Sequence, residues 1–488
     1  MNSALIPGRK FAPENLGRVV ILGLGKSGKA CLEYLVKLVG TRVESLTLYG
    51  GASNAEATSW VEQFSSTGVT VIFDDEQVTG TYDLGIVSPG IPETSEFYKA
   101  GAAAAHLLIS EVEFAWRESR EDSRWIAITG TNGKTTTTAL TAHIFNSAGW
   151  GAKAVGNIGD PCIEAVGADQ TDIYVVETSS YQLASIDKFA PDAALMISLT
   201  PDHLSWHGSL EAYFAAKWKI ISNIKDNDSC WLIANMTDET VASSVRKLSP
   251  EWRGLNCLEV GRPYPEGALS VVQNKPSCAW VNGSDKLEVA LKGDRHELVF
   301  ADDLQIKGPH NIVNSLMAAS ACLIFGLDSA QVDAGLLSFS PLEHRIEPCG
   351  CINGISFYND SKATNVDATL VALEAFLPTK PIVLLGGRDK GTSLDPLVAS
   401  CKENVKAVVC FGESRPRFEA AFKNGLSEDD SCTLLVADHL RDALEVALDF
   451  AVPGDIVLLS PACASFDEFN SFEERGQVFK QLVSSHEL

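Results

Sequence analysis

No unbroken apolar run in the sequence approaches the roughly 18 residues that a bilayer-crossing helix needs. The N-terminal segment, Met1 to Gly17, is polar and has no apolar h-region. Neither a secretion signal nor a membrane association is therefore expected, and the chain reads as cytoplasmic. Positive charge is scarce: 39 Lys and Arg stand against 63 Asp and Glu, a net charge of −24. This argues against nucleic acid or an anionic membrane as the main partner. It leaves room for a small anionic ligand, because one Gly-rich loop with one lysine can hold phosphate inside an acidic protein. The 12 cysteines are scattered; only Cys349 and Cys351 lie close, and C-x-C without a second pair is a poor metal signal. Reduced, mostly buried thiols are expected. Short-period repeats, low-complexity tracts and long linkers are missing too. What is there is a chain of 488 residues, 45 % hydrophobic, which excludes extensive disorder. At roughly 150 residues per domain it suggests about three domains.

The rhythm is strand, Gly-rich turn, helix, strand. Apolar runs at 18–22, 43–48, 70–73 and 84–87 read as buried parallel strands. The pattern loosens near 101–110. A second block opens with 125–128, continues through 173–176 and 194–199, and enters a long helical stretch at 209–224. Residues 265–305 alternate in short segments around an Asn282-Gly283 turn, a β-hairpin signal. Helical periodicity returns at 311–326, and a third block carries strands near 354–358, 381–385, 407–411 and 456–459. The expected architecture is three consecutive α/β domains, 1–110, 111–341 and 342–488.

The strongest chemical signal is GTNGKTT, residues 130–136, between a strand and a helical segment. Backbone N–H groups and the dipole at such a helix start favour phosphate; Lys134 would reach the β/γ-phosphates and Thr135 would ligate Mg²⁺. Ile128 takes the place of the first glycine of the commoner G-x-x-x-x-G-K-[ST] form. A nucleotide loop needs a carboxylate for its metal, and Glu177 stands at the tip of the 173–176 strand; the competing reading there is a helix cap by Ser179 or Ser180. DHLSWHG, 202–208, offers His203 and His207 with an Asp. Taken locally, Lys217 in EAYFAAKWK reads as a solvated surface lysine. Gly23-Leu24-Gly25-Lys26-Ser27-Gly28 fits G-x-G-x-x-G, but the second strand ends in Tyr49-Gly50-Gly51, without the acid an NAD site uses. This points to a nucleotide- or pyrophosphate-binding module, with Ser88-Pro89-Gly90 at the same sheet edge. In the third block NDSKATN (359–365), GGRDKG (386–391) and SPACASFD (460–467) all follow strands.

In this order, GTNGKTT, GNIG (156–159), ETSSYQL (177–183), DHL (202–204), AAK (215–217), HN (310–311), HR (344–345) and NDSKATN resemble the Mur ligase family, which builds the peptide stem of bacterial peptidoglycan. The resemblance covers nearly the whole chain. NDSKATN, LLGGRDK and LLSPACASFDEF are most similar to the branch that adds D-glutamate to UDP-N-acetylmuramoyl-L-alanine. The resemblance implies a Rossmann-like UDP-binding domain, a central P-loop-type ATPase domain and a Rossmann-like amino-acid-binding domain. It implies ATP and two Mg²⁺ ions as cofactors, an acyl-phosphate intermediate, and a monomer whose partners are small molecules. The implied catalytic set is Lys134, Glu177, His203 and Lys217, with Thr135, Glu177, His203 and Lys217 around metal and Lys217 carrying a carbamate. ATP contacts would be Gly130, Thr131, Asn132, Gly133, Lys134, Thr135, Thr136, Thr137, Asn311, Arg345 and Asp360. The UDP substrate would meet Lys26, Ser27, Ser88, Gly90, Asn157 and Ser179. D-Glutamate would meet Lys362, Thr364, Lys390, Ser465 and Phe472.

Three departures stand out: Tyr49 where an acid is common near the uracil, Ser205-Trp206 after DHL where an Asp-containing pair is usual, and the long 265–305 excursion. Alternatives are another amide ligase of the same superfamily, an NAD-dependent oxidoreductase resting on G-x-G-x-x-G, and a non-catalytic nucleotide-binding regulator. The oxidoreductase leaves GTNGKTT unexplained, and retention of Lys134, Glu177, His203 and Lys217 together weighs against the regulator.

Overall fold

A computed structural model describes residues 4–248, 252, 254–261, 277–389, 391–427 and 430–486. The chain divides into two compact units, Met1–Asp303 with Val313–Ser338, and Leu304–Ile312 with Phe339–Leu488. The first unit contains two sheets. The smaller has five parallel strands in the order Val69–Ile72, Val43–Tyr49, Gly17–Leu22, Leu84–Val87, Leu108–Ser110. The direction of winding reverses between Gly17–Leu22 and Leu84–Val87, and open α/β sheets bind ligands at the carboxyl ends of such a strand pair. The loops leaving that pair are Gly23-Leu24-Gly25 and Ser88-Pro89-Gly90.

The larger sheet has nine strands. Ala152–Gly156, Ile173–Glu177, Arg124–Thr129, Ala193–Met196, Trp231–Asn235, Asn256–Val260 and Ser277–Val281 run parallel in that spatial order. Burial on both faces explains why 125–128 and 173–176 read as continuous apolar runs. The strand expected at 194–199 stops at Met196, and beyond it Ser198 folds over the glycine loop, its carbonyl accepting from Thr131 N–H. The expected hairpin is present as a sheet extension: Ser277–Val281 turns through Asn282 into Lys286–Leu291, which pairs antiparallel with Asp294–Phe300. Residues 265–276 of that excursion lie outside the described residues. One apolar cluster runs through both sheets, from Leu16 and Val19 to Val241 and Val245, which makes them one unit.

In the second unit a six-stranded sheet runs Glu347–Ile352, Ile355–Asn359, Ile456–Leu459, Ile382–Gly386, Ala407–Phe411, Thr433–Val436. Only Glu347–Ile352 is antiparallel among the described strands of this sheet. The three polar loops picked out in the sequence therefore leave three adjacent strands at one sheet edge. Nine of the cysteines are buried and all 12 are free thiols. No helix among the described residues is long and apolar enough to cross a membrane.

Candidate active site

Strand Arg124–Thr129 delivers the chain into Gly130, and helix Lys134–Ser147 takes it away. Gly133 caps that helix at φ +84°, a left-handed conformation that glycine adopts without strain. A Cβ there would stand 2.8 Å from Asn314 Oδ1 and 2.9 Å from Ile197 Cγ2. The loop is tied down from its far side. Thr131 N–H donates to Ser198 O at 2.8 Å, Asn132 N–H to Ser198 Oγ at 2.9 Å, and Thr131 Oγ1 to Thr200 O at 3.0 Å. Lys134 Nζ donates to Thr131 O at 2.8 Å. Thr137 Oγ1 is turned to Gly133 O at 3.0 Å, so this predicted ATP contact serves its own helix in the structure. Gly133→Ala is expected to raise the KM for ATP at least about tenfold and to lower thermal stability, since both conformation and space resist a side chain. Steady-state ATP titrations would check this, and an unchanged KM would remove the loop from nucleotide binding.

Register sets the rest. Ile128 pairs with Glu177 and Thr129 with Met196, so the glycine loop, Glu177 and the segment toward His203 leave adjacent strands at one edge. Glu177 is 2 % exposed. Its Oε1 accepts from Asn157 Nδ2 at 2.8 Å, while its buried Oε2 has no hydrogen-bond partner. An orphaned carboxylate oxygen is costly unless something positive or donating meets it. The cap reading of the next residues also holds: Ser179 caps helix Ser180–Ala184 in a capping box with Gln182. Ser179 Oγ is thus committed to the backbone of its own helix.

Lys217 is not the solvated lysine its local sequence suggests. It is 2 % exposed, donates to Gly130 O at 2.7 Å and lies 4.8 Å from the Tyr213 ring centre. Burial, then the charge of Lys134, push its pKa well below the usual lysine range. Asp202 and Glu177 pull the other way. His203 sits at φ +54° with its Nε2 3.6 Å from Asp202 Oδ2, and its ring lies 4.9 Å from that of Tyr181. Trp206 stacks on Tyr181 at 4.5 Å, which gives the unusual Trp a packing role beside His203. His207 bonds Ser180 Oγ at 2.9 Å, and burial pushes its pKa down to about 4, with His203 and Lys217 adding to the effect.

In the second unit, Asn311 and Arg345 line one cleft of about 280 Å³ together with Lys307, Ile346, Tyr358 and Phe376. Two sequence-predicted ATP contacts are thereby brought together on an apolar and aromatic wall. Asp360 is buried; burial pushes its pKa up to about 7, against a 2.7 Å bond from Ser460 Oγ. Lys362 Nζ stands 3.6 Å over the Phe472 ring, and Ser361 Oγ donates to Phe472 O at 2.8 Å. Thr364 follows in the same loop, its N–H on Lys362 O at 2.8 Å. Ser465 is buried, and its carbonyl accepts from Phe469 N–H at 2.9 Å. Arg388 and Ala464 pair as an isolated antiparallel bridge, joining the GGRDK and SPACAS loops. Lys390 lies outside the described residues.

At the small sheet's edge Gly28 is required by the fold: a Cβ would meet Gly23 O at 2.0 Å. Ser88 Oγ donates to Gly23 O at 3.1 Å, so two predicted UDP-site loops touch. Lys26 Nζ donates to Gly159 O in the GNIG loop, and Ser27 follows it in the first turn of helix Lys26–Leu35. Gly90 is exposed. Tyr49, in place of an acid, is buried, and its hydroxyl accepts from Thr79 N–H at 3.0 Å.

Two family descriptions match: Mur ligase middle domain over residues 128–322, and Mur ligase, glutamate ligase domain over 344–463. The chain belongs to the Mur ligase family. It is 34 % identical over 471 residues to the UDP-N-acetylmuramoylalanine--D-glutamate ligase of Thermoanaerobacter pseudethanolicus, covering 96 % of this chain and 98 % of that one. It is 35 % identical over 475 residues to the protein of the same name from Pelotomaculum thermopropionicum, covering 96 % and 97 %. In fold it is similar to MurF from Acinetobacter baumannii, with a TM-score of 0.58 at 16 % identity, over 95 % of this chain and 93 % of that one. The Asp noted in DHLSWHG, Asp202, pairs with His203 and acts on Lys217 in this Mur ligase, a partnership with Lys217 that the sequence did not show. Sequence reasoning missed Asn314 against Gly133, and Arg475, whose guanidinium is buried among the third-block loops. Asn314 was within reach, one turn after Asn311 on helix Pro309–Ile324.

The donor set can be tested against Mg²⁺, which takes hard oxygen ligands and few protein groups. Among the described residues no three His, Cys, Asp or Glu side chains cluster as a metal cage. Thr135 and the orphaned Glu177 Oε2 fit an ion that also binds substrate phosphates. Lys217 as an amine does not fit; as a carbamate it would.

Proposed function

We propose that the protein joins D-glutamate to UDP-N-acetylmuramoyl-L-alanine in an ATP-driven step of cytoplasmic peptidoglycan precursor synthesis. The observation that carries this reading is a likeness to D-glutamate ligases over 96 % of the chain at 34 % identity. The L-alanine carboxylate oxygen attacks the γ-phosphorus of ATP, ADP leaves, and an acyl phosphate results. The amine of D-glutamate then attacks the acyl carbon, loses a proton, and inorganic phosphate departs with the activated oxygen. A carboxylate and a γ-phosphate repel each other, so the first step needs positive charge at the glycine loop. Lys134 supplies one such charge. Thr135 and Glu177, with His203 and a carbamate on Lys217, would hold Mg²⁺, which supplies further charge neutralisation when bound.

Burial of Lys217, which pushes its pKa down and favours the unprotonated amine, supports the carbamate, because only an unprotonated amine attacks carbon dioxide. Asn311, Arg345 and Asp360 are taken to hold the nucleoside end of ATP. Lys26, Ser27, Ser88, Gly90, Asn157 and Ser179 are taken to hold the UDP substrate. Lys362, Thr364, Lys390, Ser465 and Phe472 are taken to hold D-glutamate. The working division is 1–110 for the UDP substrate, 111–341 for ATP and 342–488 for the amino acid, in a monomer.

The test is phosphate release with ATP, Mg²⁺ and UDP-N-acetylmuramoyl-L-alanine, comparing D-glutamate, L-glutamate and other amino acids, with each component omitted in turn. Release that requires D-glutamate is expected. Release with a different amino acid would overturn the assignment of the third block, and no release with any acceptor would overturn the reaction.

A further inference from the structure

Helix Cys162–Gly167 begins without a cap of its own: Pro161 stands at its N-cap position and offers no side-chain acceptor. Short helices leave their first N–H groups unsatisfied, and buried ones need a partner. Here the partner comes from 52 residues upstream. Glu111 Oε1 accepts from Ile163 N–H at 2.7 Å. Glu111 is 2 % exposed and opens helix Glu111–Glu118, which packs on Cys162–Gly167. Its second oxygen, Oε2, is buried with no hydrogen-bond partner. The thiols of Cys31 and Cys162 lie near it, each pushed up by burial and then by the Glu111 charge. A buried carboxyl with one oxygen left over is retained against a cost, and no step of the proposed reaction uses it.

What the bond holds is the segment 156–163. That segment starts with Gly156 at φ +100°, where a Cβ would meet Glu177 O at 2.5 Å. Asn157 follows, with its N–H on Glu177 O at 2.9 Å and its Nδ2 on Glu177 Oε1 at 2.8 Å. Gly159 O takes the Lys26 ammonium, and Asp160 pairs with Lys153 at 3.0 Å. At one end the loop touches the carboxylate beside the glycine loop; in its middle it touches the Gly-rich turn of the small sheet. Its other end runs into the six-residue helix, which is held by its buried apolar face and, at its first turn, by the bond from Ile163 N–H to Glu111.

We propose that Glu111 is a positioning residue: as a cap supplied from another helix, it fixes the 156–163 segment, and through it sets Asn157 against Glu177 and Gly159 against Lys26. Its consequence for substrate rests on the reading of this segment as part of the UDP-substrate site. The role asked of Glu111 is that of an acceptor, with Oε1 taking the Ile163 amide while Oε2 takes none. Glutamine reproduces this arrangement, with its amide nitrogen where Oε2 stands. Leucine fills the same space without an acceptor.

The experiment compares wild type, Glu111→Leu, Glu111→Ala and Glu111→Gln in the full chain by amide hydrogen exchange and by calorimetric binding without turnover. The amides of 157–160 and 162–163 are expected to exchange at least about tenfold faster in Glu111→Leu and Glu111→Ala, and to regain most of their protection in Glu111→Gln. UDP-N-acetylmuramoyl-L-alanine is expected to bind about fivefold or more weakly to the first two variants, with ATP affinity kept within about twofold. Protection unchanged in both non-accepting variants would overturn the anchor. An equal loss of both ligands, or no recovery in Glu111→Gln, would reduce Glu111 to general packing and overturn the positioning role. If one non-accepting variant fails to fold, the other decides. If wild type itself binds no UDP-linked substrate, the proposed function falls, and the exchange data alone decide whether Glu111 holds the segment.

Discussion

Replacing Lys217 with alanine is expected to lower the ligase rate by about a thousandfold or more, the scale seen when a group that stabilises transition-state charge is removed. The expectation starts from burial. A lysine ammonium is strongly hydrated, and one held at 2 % exposure with a single backbone acceptor at 2.7 Å is poorly compensated. Lys134 adds a second positive charge nearby, so the protonated form is disfavoured twice. The amine is therefore ready to react as a nucleophile toward carbon dioxide. The product inverts the local charge, turning a group repelled by Lys134 into one attracted to it. The carbamate also places a carboxylate-like group in the neighbourhood of Glu177. Alanine removes that group and leaves a gap beside Tyr213. Acetate or bicarbonate, entering the gap, is expected to restore part of the rate. The independent readout is carbon-13 NMR with labelled bicarbonate: wild type should show a carbamate resonance that Lys217→Ala lacks. Near-normal turnover in the variant would refute the role, and a missing resonance in active wild type would refute the modification.

How far the sequence shows such a site depends on where the partners lie along the chain. The glycine loop was legible because strand, loop, Lys-Thr and helix are contiguous, and Glu177 because a buried strand has an identifiable carboxyl end. Parallel strands buried on both faces advertise themselves as apolar runs, so 125–128, 173–176 and 407–411 fell where expected. Ala152–Gly156 and Glu347–Ile352 did not stand out: both lie at sheet edges, where one side needs no continuous apolar run. Lys217 misled local reading because the surroundings that bury it, Gly130 and Tyr213 with Lys134 and Glu177 nearby, come mostly from far upstream. Only the family resemblance reversed that reading. Ser205-Trp206 had no account in sequence terms, and the stacking of Trp206 on Tyr181 supplies one. Glu111 and Arg475 were invisible for the same reason as each other: each satisfies backbone groups dozens of residues away, and no periodicity records such a bond.

Arg475 leads to the other large effect. Substituting it with methionine is expected to destabilise the six-stranded unit by about 3 kcal/mol and to raise the KM for D-glutamate by about tenfold or more. The side chain is fully buried, and burial pushes its pKa down only to about 10, so it stays a cation at neutral pH. It works as a hub. Nε donates to Ser361 Oγ at 2.9 Å, and Nη2 donates to Ser361 O at 2.8 Å and Cys463 O at 3.1 Å. Gly386 O lies at 3.5 Å from Nη1, and Gly387, at φ +131°, would bring a Cβ to 3.0 Å of the same nitrogen. One planar fork thus braces NDSKATN, GGRDK and SPACAS, the loops proposed to hold D-glutamate. Methionine keeps the stem volume but leaves these oxygens without their donor, each at about 1–3 kcal/mol if water does not replace it. Lysine keeps the charge yet cannot span three loops from one point, so Arg475→Lys should recover stability better than it recovers D-glutamate binding. Denaturant unfolding followed in the second unit, together with separate KM values for D-glutamate and ATP, would check both. A stability loss with an unaltered D-glutamate KM would show that the fork braces the fold and not the amino-acid site.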